Sequence, residues 1–230
     1  MSSKRIVVTG ASRGIGFELV KQLASDGHKV LALSRDITNL NLLIPKYKDL
    51  SPFETEITTD KGLDDIVEFI KVNWGSVDVV VHNAGALMHK PFRETTTSDF
   101  LNIYQVNVFA VAELTRRLDP FLIDGSHVVA LSSMGGIQGS MKFAGLSAYS
   151  SSKGAIITLM ELLAEEYKDQ GVSFNSLALG AVQTEMLAEA FPDYEAPTSA
   201  GTMASYIKDF ALNGNKIFNG KVLQASNSTP

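Results

Sequence analysis

A glycine-rich turn near the start of the chain constrains its fold more than any other feature. Residues 9–16 read Thr-Gly-Ala-Ser-Arg-Gly-Ile-Gly, and they lie between an apolar strand predicted at 6–8 and a helix predicted at 15–25. Gly10 permits a tight turn, Gly14 lets backbone approach a bound group closely, and Gly16 allows close helix packing. The start of the helix offers free N–H groups and partial positive charge to phosphates. An isolated glycine cluster can also be a plain strand-to-helix turn.

Short β-branched runs alternate with helical periodicity along most of the chain. Strands are predicted at 30–33, 77–81, 128–131, 172–177 and 221–224, in addition to 6–8. Helical spacing marks 63–70, 98–118, 148–168 and a stretch around 203–211, in addition to 15–25. Repeated β-α units predict an α/β fold, a Rossmann-like doubly wound parallel sheet with helices on both faces. We expect a single domain over residues 1–230 with a frayed end at 226–230, and in this context the glycine turn favours a nucleotide site.

Composition and charge exclude several classes of function. The net charge is −5 and no basic block is present, so we expect no nucleic acid partner. The four histidines share no metal-ligand spacing and the chain has no cysteine, so no metal is expected. The first five residues do not resemble a signal peptide, and no run approaches the ~20 apolar residues that span a bilayer. The sequence therefore predicts a cytoplasmic protein with no membrane partner.

A phenol and an amine stand four residues apart at Tyr149 and Lys153, on one face of a predicted helix. An unperturbed tyrosine has a pKa of about 10, and a nearby ammonium lowers that pKa towards neutrality. Ser132 and Ser133 end the preceding strand, where a hydroxyl can bond a substrate oxygen, although adjacent serines there are often turn formers. Asn107 lies in an apolar helical stretch, and its amide needs either functional partners or a local backbone hydrogen bond.

Together these segments resemble the short-chain dehydrogenase/reductase family, in one collinear order over residues 4–184. The resemblance implies a catalytic tetrad of Asn107, Ser133, Tyr149 and Lys153. It makes Tyr149 the general acid in reduction and the base in oxidation, with Ser133 orienting the substrate carbonyl. It has Lys153 lower the Tyr149 pKa and hold the nicotinamide ribose, and Asn107 support a water that relays protons to Lys153. The implied cofactor contacts, besides Tyr149 and Lys153, are Gly10, Ser12, Gly14, Ile15, Gly16, Glu56, Ile57, Asn83, Ala84, Gly85, Gly180, Val182 and Thr184.

Three departures from the family pattern concern substrate and assembly. Leu179 precedes Gly180 where the family has proline, so the loop over the nicotinamide is expected to be set differently. The spacing from Ser133 to Tyr149 is longer than usual, and the extra residues fall within 138–146, beside the substrate. The terminal Asp-Gly-Gly of the family is missing, and residues 220–223 are the nearest match to its last strand.

The residues after the second predicted strand indicate NADP(H) as the cofactor. An acidic residue about 20 positions beyond the glycine turn would bind the ribose 2′-hydroxyl and repel a 2′-phosphate. Ser34 occupies that place, with Arg35 beside it and Arg13 in the turn, so both guanidinium groups can bind a 2′-phosphate. The alternative is an NAD enzyme in which Asp36 holds the ribose and both arginines are solvated.

These observations predict an NADP(H)-dependent carbonyl reductase or alcohol dehydrogenase acting on a small-molecule carbonyl or alcohol. The resemblance further suggests a homo-oligomer, either a dimer or a tetramer. An apolar or aromatic substrate would suit the candidate walls, although surface-loop packing accounts for these residues as well: Met88, Met134, Met141, Phe143, Ala144, Leu146, Met186, Leu187 and Phe191. The alternatives are a catalytically silent NADP(H)-binding regulatory protein and a Ser-His-Asp hydrolase. The hydrolase lacks a Gly-x-Ser-x-Gly elbow in this sequence.

Overall fold

Seven parallel strands form one sheet in the order β3-β2-β1-β4-β5-β6-β9 in the computed structural model, which describes residues 2–226. The strands are β1 (Arg5–Thr9), β2 (Lys29–Ser34), β3 (Leu50–Glu54), β4 (Val77–His82), β5 (Leu122–Ser133), β6 (Ser173–Leu179) and β9 (Lys221–Ala225). Two short strands, β7 (Val182–Gln183) and β8 (Thr198–Ser199), pair separately from this sheet. The predicted parallel sheet is therefore confirmed.

Helices cover both faces of the sheet, as predicted. They are α1 (Gly14–Ser25), α2 (Thr38–Asn41), α3 (Asp60–Asn73), α4 (Thr97–Tyr104), α5 (Ala110–Leu118), α6 (Ser147–Glu166), α7 (Glu185–Ala190) and α8 (Ala200–Asn213). One apolar core packs α1 and α8 on the sheet, and the other packs α3, α5 and α6 on the opposite face. Successive strand residues enter opposite cores, as Ile6 and Val7 do in β1. Burial on both faces explains why these strands appear as continuous apolar runs.

Five of the labelled elements were missing from the sequence-based prediction: α2, β3, β7, α7 and β8. β3 contains Pro52, which argues against a central strand but is tolerated here because β3 lies at the sheet edge and pairs with β2 alone. α2 has four residues, too few to show a helical period. β5 begins at Leu122, earlier than the predicted residue 128, because the exposed Asp124 and Gly125 interrupt the apolar pattern at its start. Of the predicted frayed end, residues 227–230 lie outside the described part of the chain.

The path of the chain places a crevice above the middle of the sheet. From β1 the chain moves outward to β2 and β3, then returns to β4 on the other side of β1. Loops that follow neighbouring strands on the two sides of this reversal diverge, which is where open α/β sheets bind ligands. The predicted helix at 98–118 is continuous, with a π turn at Gln105–Phe109 between α4 and α5. Among residues 2–226, no helix has both the length and the apolar character needed to cross a membrane.

Candidate active site

A cleft of about 910 Å³ opens at the carboxyl ends of the central strands. It is lined by residues from the glycine turn, the loops after β2 to β6 and the first turns of α6. Every residue that the sequence suggested for catalysis or cofactor binding lines this cleft, except Asn107, which is buried outside the lining. The structure thus brings together segments that are distant along the chain.

The glycine turn has the backbone shape that its sequence predicts. Gly10 and Gly14 have φ values of +68° and +56°, in the region that side chains disfavour. A Cβ on Gly10 would lie 2.7 Å from the Cα of Ala84, and one on Gly16 would collide with the carbonyl oxygen of Gly10. α1 begins at Gly14 without a side-chain cap, so its first N–H groups have no capping partner from Arg13. This end of the cleft therefore combines close backbone approach with free N–H donors.

Asn83 fixes the glycine turn to the loop after β4. Its Nδ2 donates hydrogen bonds to the carbonyl oxygens of Thr9 at 3.0 Å and Gly10 at 2.8 Å. The Thr9 hydroxyl in turn accepts from the backbone N–H groups of Asn83 and Ala84. The sequence suggested Asn83 as a cofactor contact, and the structure places its side-chain amide on protein backbone. Thr9 was missed, and a polar residue at the end of an apolar strand was its only sequence signal.

The three candidate catalytic side chains other than Asn107 meet at one point of the cleft. Ser133 ends β5, and its hydroxyl is hydrogen-bonded to the phenol of Tyr149. The Ser133 hydroxyl also accepts from the N–H of Gly135 at 3.2 Å. The Lys153 ammonium lies 5.8 Å from the centroid of the Tyr149 ring, one helical turn along α6. The predicted shared face of Tyr149 and Lys153 is therefore present.

Burial shifts both titrating groups towards their neutral forms. It lowers the pKa of Lys153 to about 8, and the ammonium donates a hydrogen bond to the carbonyl oxygen of Leu131 at 2.8 Å. Burial also raises the pKa of Tyr149, and it outweighs the hydrogen bond from Ser133, which lowers that pKa. The expected lowering of the Tyr149 pKa is therefore not seen in this structure. Desolvation of the phenol is the reason.

Asn107 lies in the π turn and makes all of its side-chain hydrogen bonds to distant protein groups. Its Nδ2 donates to the carbonyl oxygen of Ala86 and to the hydroxyl of Ser152, both at 2.9 Å, and its Oδ1 accepts from the N–H of Ala86 at 2.7 Å. The Ser152 hydroxyl donates to the carbonyl oxygen of Tyr149 at 2.7 Å. A local backbone hydrogen bond, the alternative left open by the sequence, is wrong. Asn107 instead joins the loop after β4 to α6.

The opposite end of the cleft carries two arginines, each paired with a carboxylate. The Arg13 guanidinium bonds Glu189 at 2.7 Å, and Arg35 lies 3.8 Å from Glu56. The carboxylate of Asp36 accepts from the N–H of Thr38 at 2.8 Å, which lowers the Asp36 pKa. Asp36 is thus already engaged in the turn that starts α2, although it also lines the cleft.

Apolar side chains dominate the end of the cleft beyond Tyr149. Of the proposed walls, Met88 and Ala144 do not line it, whereas these residues do: Met134, Met141, Phe143, Leu146, Met186, Leu187 and Phe191. Leu87 and Tyr194 also line it and were missed, because neither lies in a segment with recognisable periodicity. Within residues 2–226, no cluster of His, Asp and Glu could hold a metal ion.

Comparisons with known proteins agree with this geometry. Residues 4–195 match the adh_short family model, described as short chain dehydrogenase. An uncharacterized oxidoreductase of Escherichia coli, YciK, is 33% identical over 202 residues, which cover 84% of this chain and 79% of YciK. The L-2,3-butanediol dehydrogenase of Corynebacterium glutamicum is 32% identical over 80% of this chain and 74% of its own length. A solved short chain dehydrogenase from Salmonella enterica serovar Typhi superposes with a TM-score of 0.87 at 29% identity, over 98% of this chain and 96% of that one.

Proposed function

This chain belongs to the short-chain dehydrogenase/reductase family, and we propose that it is an NADP(H)-dependent oxidoreductase that interconverts a carbonyl and an alcohol on a small molecule. The observation that carries the proposal is one cleft that holds the glycine turn at one end and Ser133, Tyr149 and Lys153 at the other. A cofactor and a substrate can therefore meet beside a proton donor. The cytoplasmic location, the single-domain organisation and the homo-oligomer stay predictions.

The residues present fit a dinucleotide. At Gly10 and Gly16 a Cβ would collide with neighbouring protein backbone, so only glycine fits the turn at these two positions. Gly14, Ile15 and Gly16 line the cleft at the start of α1, which has no side-chain cap. Free N–H groups at a helix start are suited to a pyrophosphate. We place adenine beside Glu56 and Ile57, the nicotinamide ribose beside Tyr149 and Lys153, and the nicotinamide near Gly180, Val182 and Thr184. When bound, the nicotinamide supplies or accepts the hydride.

Tyr149 holds the proton that the reaction needs. Because burial raises the pKa of Tyr149, its phenol is protonated at neutral pH and can donate to a carbonyl oxygen as it becomes an alcohol. Ser133, hydrogen-bonded to that phenol, orients the same carbonyl oxygen. Lys153, with a pKa of about 8, can resupply a proton near neutral pH. These protonation states supply the proton that carbonyl reduction consumes.

Arg13 and Arg35 favour NADP(H) over NAD(H). The residue at the ribose position is Ser34, which cannot repel a phosphate, and Asp36 is committed to the N–H of Thr38. Exposed ion pairs such as Arg13–Glu189 contribute roughly 0–1 kcal/mol, so a doubly charged 2′-phosphate can displace the carboxylate. Guanidinium–phosphate hydrogen bonds are among the stronger ones because they are charge-assisted and bidentate.

Initial rates with NADPH and NADH over a panel of ketones, aldehydes and quinones test the proposal. We expect turnover with at least one carbonyl compound. For that compound kcat/KM should be at least about tenfold higher with NADPH than with NADH, which corresponds to a free-energy preference of about 1.4 kcal/mol. Tyr149→Phe is the matched control: it keeps the ring, loses the proton, and should abolish turnover while NADPH still binds. Tight NADPH binding with no reduction across the panel would instead identify a catalytically silent regulatory protein. Equal kcat/KM for both cofactors would refute the NADP(H) assignment.

A further inference from the structure

His89 lies in the loop between β4 and α4, outside the cleft lining, yet it contacts both segments that close the substrate end. We propose that His89 is a positioning residue that sets substrate size, because it joins the inserted loop at 138–146 to the end of α7. This inference rests on the proposed function and extends it to the choice of substrate.

The first contact of His89 is with the inserted loop. Its Nε2 is hydrogen-bonded to the carbonyl oxygen of Ala144 at 3.1 Å. The next residue, Gly145, has a φ of +84°, and a Cβ there would lie 2.5 Å from the His89 ring. The N–H of Lys90 donates to the carbonyl oxygen of Gly145 at 2.9 Å. Two hydrogen bonds and a close approach that requires glycine therefore hold the loop against His89.

The second contact of His89 is with the segment that follows α7. Its ring centroid lies 5.0 Å from that of Phe191, the residue at which α7 ends. Phe191 lines the cleft, and its N–H donates to the carbonyl oxygen of Leu187, another lining residue, at 2.8 Å. The position of this wall of the cleft therefore depends on the His89 ring.

His89 can hold both segments because its own loop is fixed. The neighbouring Lys90 ammonium bonds the carboxylate of Asp99 at 2.8 Å. Asp99 completes the capping box at the start of α4, where it accepts from the N–H and hydroxyl of Thr96. The anchor for both walls of the substrate end is therefore the start of a regular helix.

The lining that His89 holds in place favours an uncharged, apolar carbonyl compound of limited size. Phe143, Leu146, Met186 and Phe191 all lie on the two joined segments or beside them. The charged lining residue on α7, Glu185, lies towards the glycine turn, 3.4 Å from the position of a Cβ on Gly14. A carboxylate or phosphate on the substrate would thus find no cationic side chain among the residues of these two segments that line the cleft.

Three variants at position 89 separate the two contacts. His89→Phe keeps a ring against Phe191, His89→Gln keeps a hydrogen-bond donor for Ala144, and His89→Ala keeps neither. The substrates are a compact ketone, cyclohexanone, and a bulky aromatic one, benzophenone. For His89→Ala we expect a KM for cyclohexanone raised about fivefold, the size of one lost hydrogen bond, with kcat and NADPH affinity unchanged. The ratio of kcat/KM for cyclohexanone to kcat/KM for benzophenone should fall by a similar factor. His89→Phe and His89→Gln should each give values between those of the native protein and His89→Ala.

Hydrogen exchange measured on the native protein and His89→Ala supplies a readout that needs no turnover. Faster exchange is expected in both 138–146 and 185–195, with residues 5–25 unchanged as the internal control. Unchanged exchange in either segment, or faster exchange with an unaltered substrate preference, overturns the proposal. If neither the native protein nor any variant reduces a carbonyl compound, the proposed function and the substrate role of His89 both fail. Faster exchange in the two segments would then show that the structural contact is still real.

Discussion

Two of the three buried histidines, His82 and His127, should make the stability of this protein depend steeply on pH. His82 bonds the hydroxyl of Thr115 through Nε2 at 2.9 Å, and His127 bonds Ala211 and Asn175 through its two ring nitrogens at 3.0 Å each. Burial lowers the pKa of each histidine to about 4. Both side chains are therefore neutral in the folded protein at neutral pH.

The sign and size of the effect follow from these pKa values. An exposed histidine in the unfolded chain has a pKa of about 6.5, so the unfolded state binds protons more tightly than the folded one. The stability contribution is therefore complete above pH 6.5 and is lost as the pH falls towards 4. When the pH is lowered from 7.5 to 5.0, the protonation of each histidine should reduce the free energy of unfolding by about 2 kcal/mol. The two histidines together should reduce it by about 4 kcal/mol. Asp99 and Glu113, with pKa values of about 2, stay ionised over this range.

Urea denaturation followed by circular dichroism at pH 7.5 and 5.0 measures this loss. His82→Gln and His127→Gln should each reduce the difference between the two pH values by about 2 kcal/mol. Each variant is compared with itself, so the cost of the substitution cancels. His89→Gln, which makes the same substitution at an exposed histidine, is the matched control. The reasoning is refuted if the native protein is equally stable at both pH values, or if the buried-site variants behave like the control.

Three further predictions concern the cleft. Replacing Ser34 with Asp and Arg35 with Ala should lower kcat/KM with NADPH and raise it with NADH, because the new carboxylate repels a 2′-phosphate and binds a hydroxyl; an unchanged cofactor ratio in steady-state kinetics would contradict this. Lys153→Ala should lower kcat and also weaken NADPH binding, measured by a binding titration. Unaltered NADPH affinity would refute the proposed contact between Lys153 and the nicotinamide ribose. Deleting residues 141–143 should change kcat/KM for bulky substrates far more than NADPH affinity, and equal changes would show that the segment supports the fold instead.

The sequence was sufficient for six of the seven strands of the main sheet because these strands show local apolar patterns, and the family resemblance supplied most of the predicted cleft lining. Glycines at positive φ and a tyrosine and lysine one turn apart are constrained by their neighbours in the chain. The pairing of Asn107 with Ala86 and Ser152 depends instead on how a π turn packs against distant segments. The same is true of the contact between His89 and Phe191, about a hundred positions apart. No spacing rule reports such contacts.

The pKa of Tyr149 illustrates the same limit for electrostatics. A lysine four residues away predicts a lowered pKa, and that is all the sequence can supply. The structure adds the desolvation of the phenol and a carbonyl partner, Leu131, for the Lys153 ammonium. Burial is a property of the assembled cleft, and here it reverses the direction of the shift.

The π turn around Asn107 makes the position of this side chain depend on a single extra residue in the helix. A π turn is an α-helix carrying one extra residue, and deleting one residue from 105–109 would restore regular α-helical geometry. α4 and α5 could still form one helix, but Asn107 would no longer face both Ala86 and Ser152. One in-frame deletion would therefore remove the link between the loop after β4 and the first turns of α6 while leaving both flanking helices able to form.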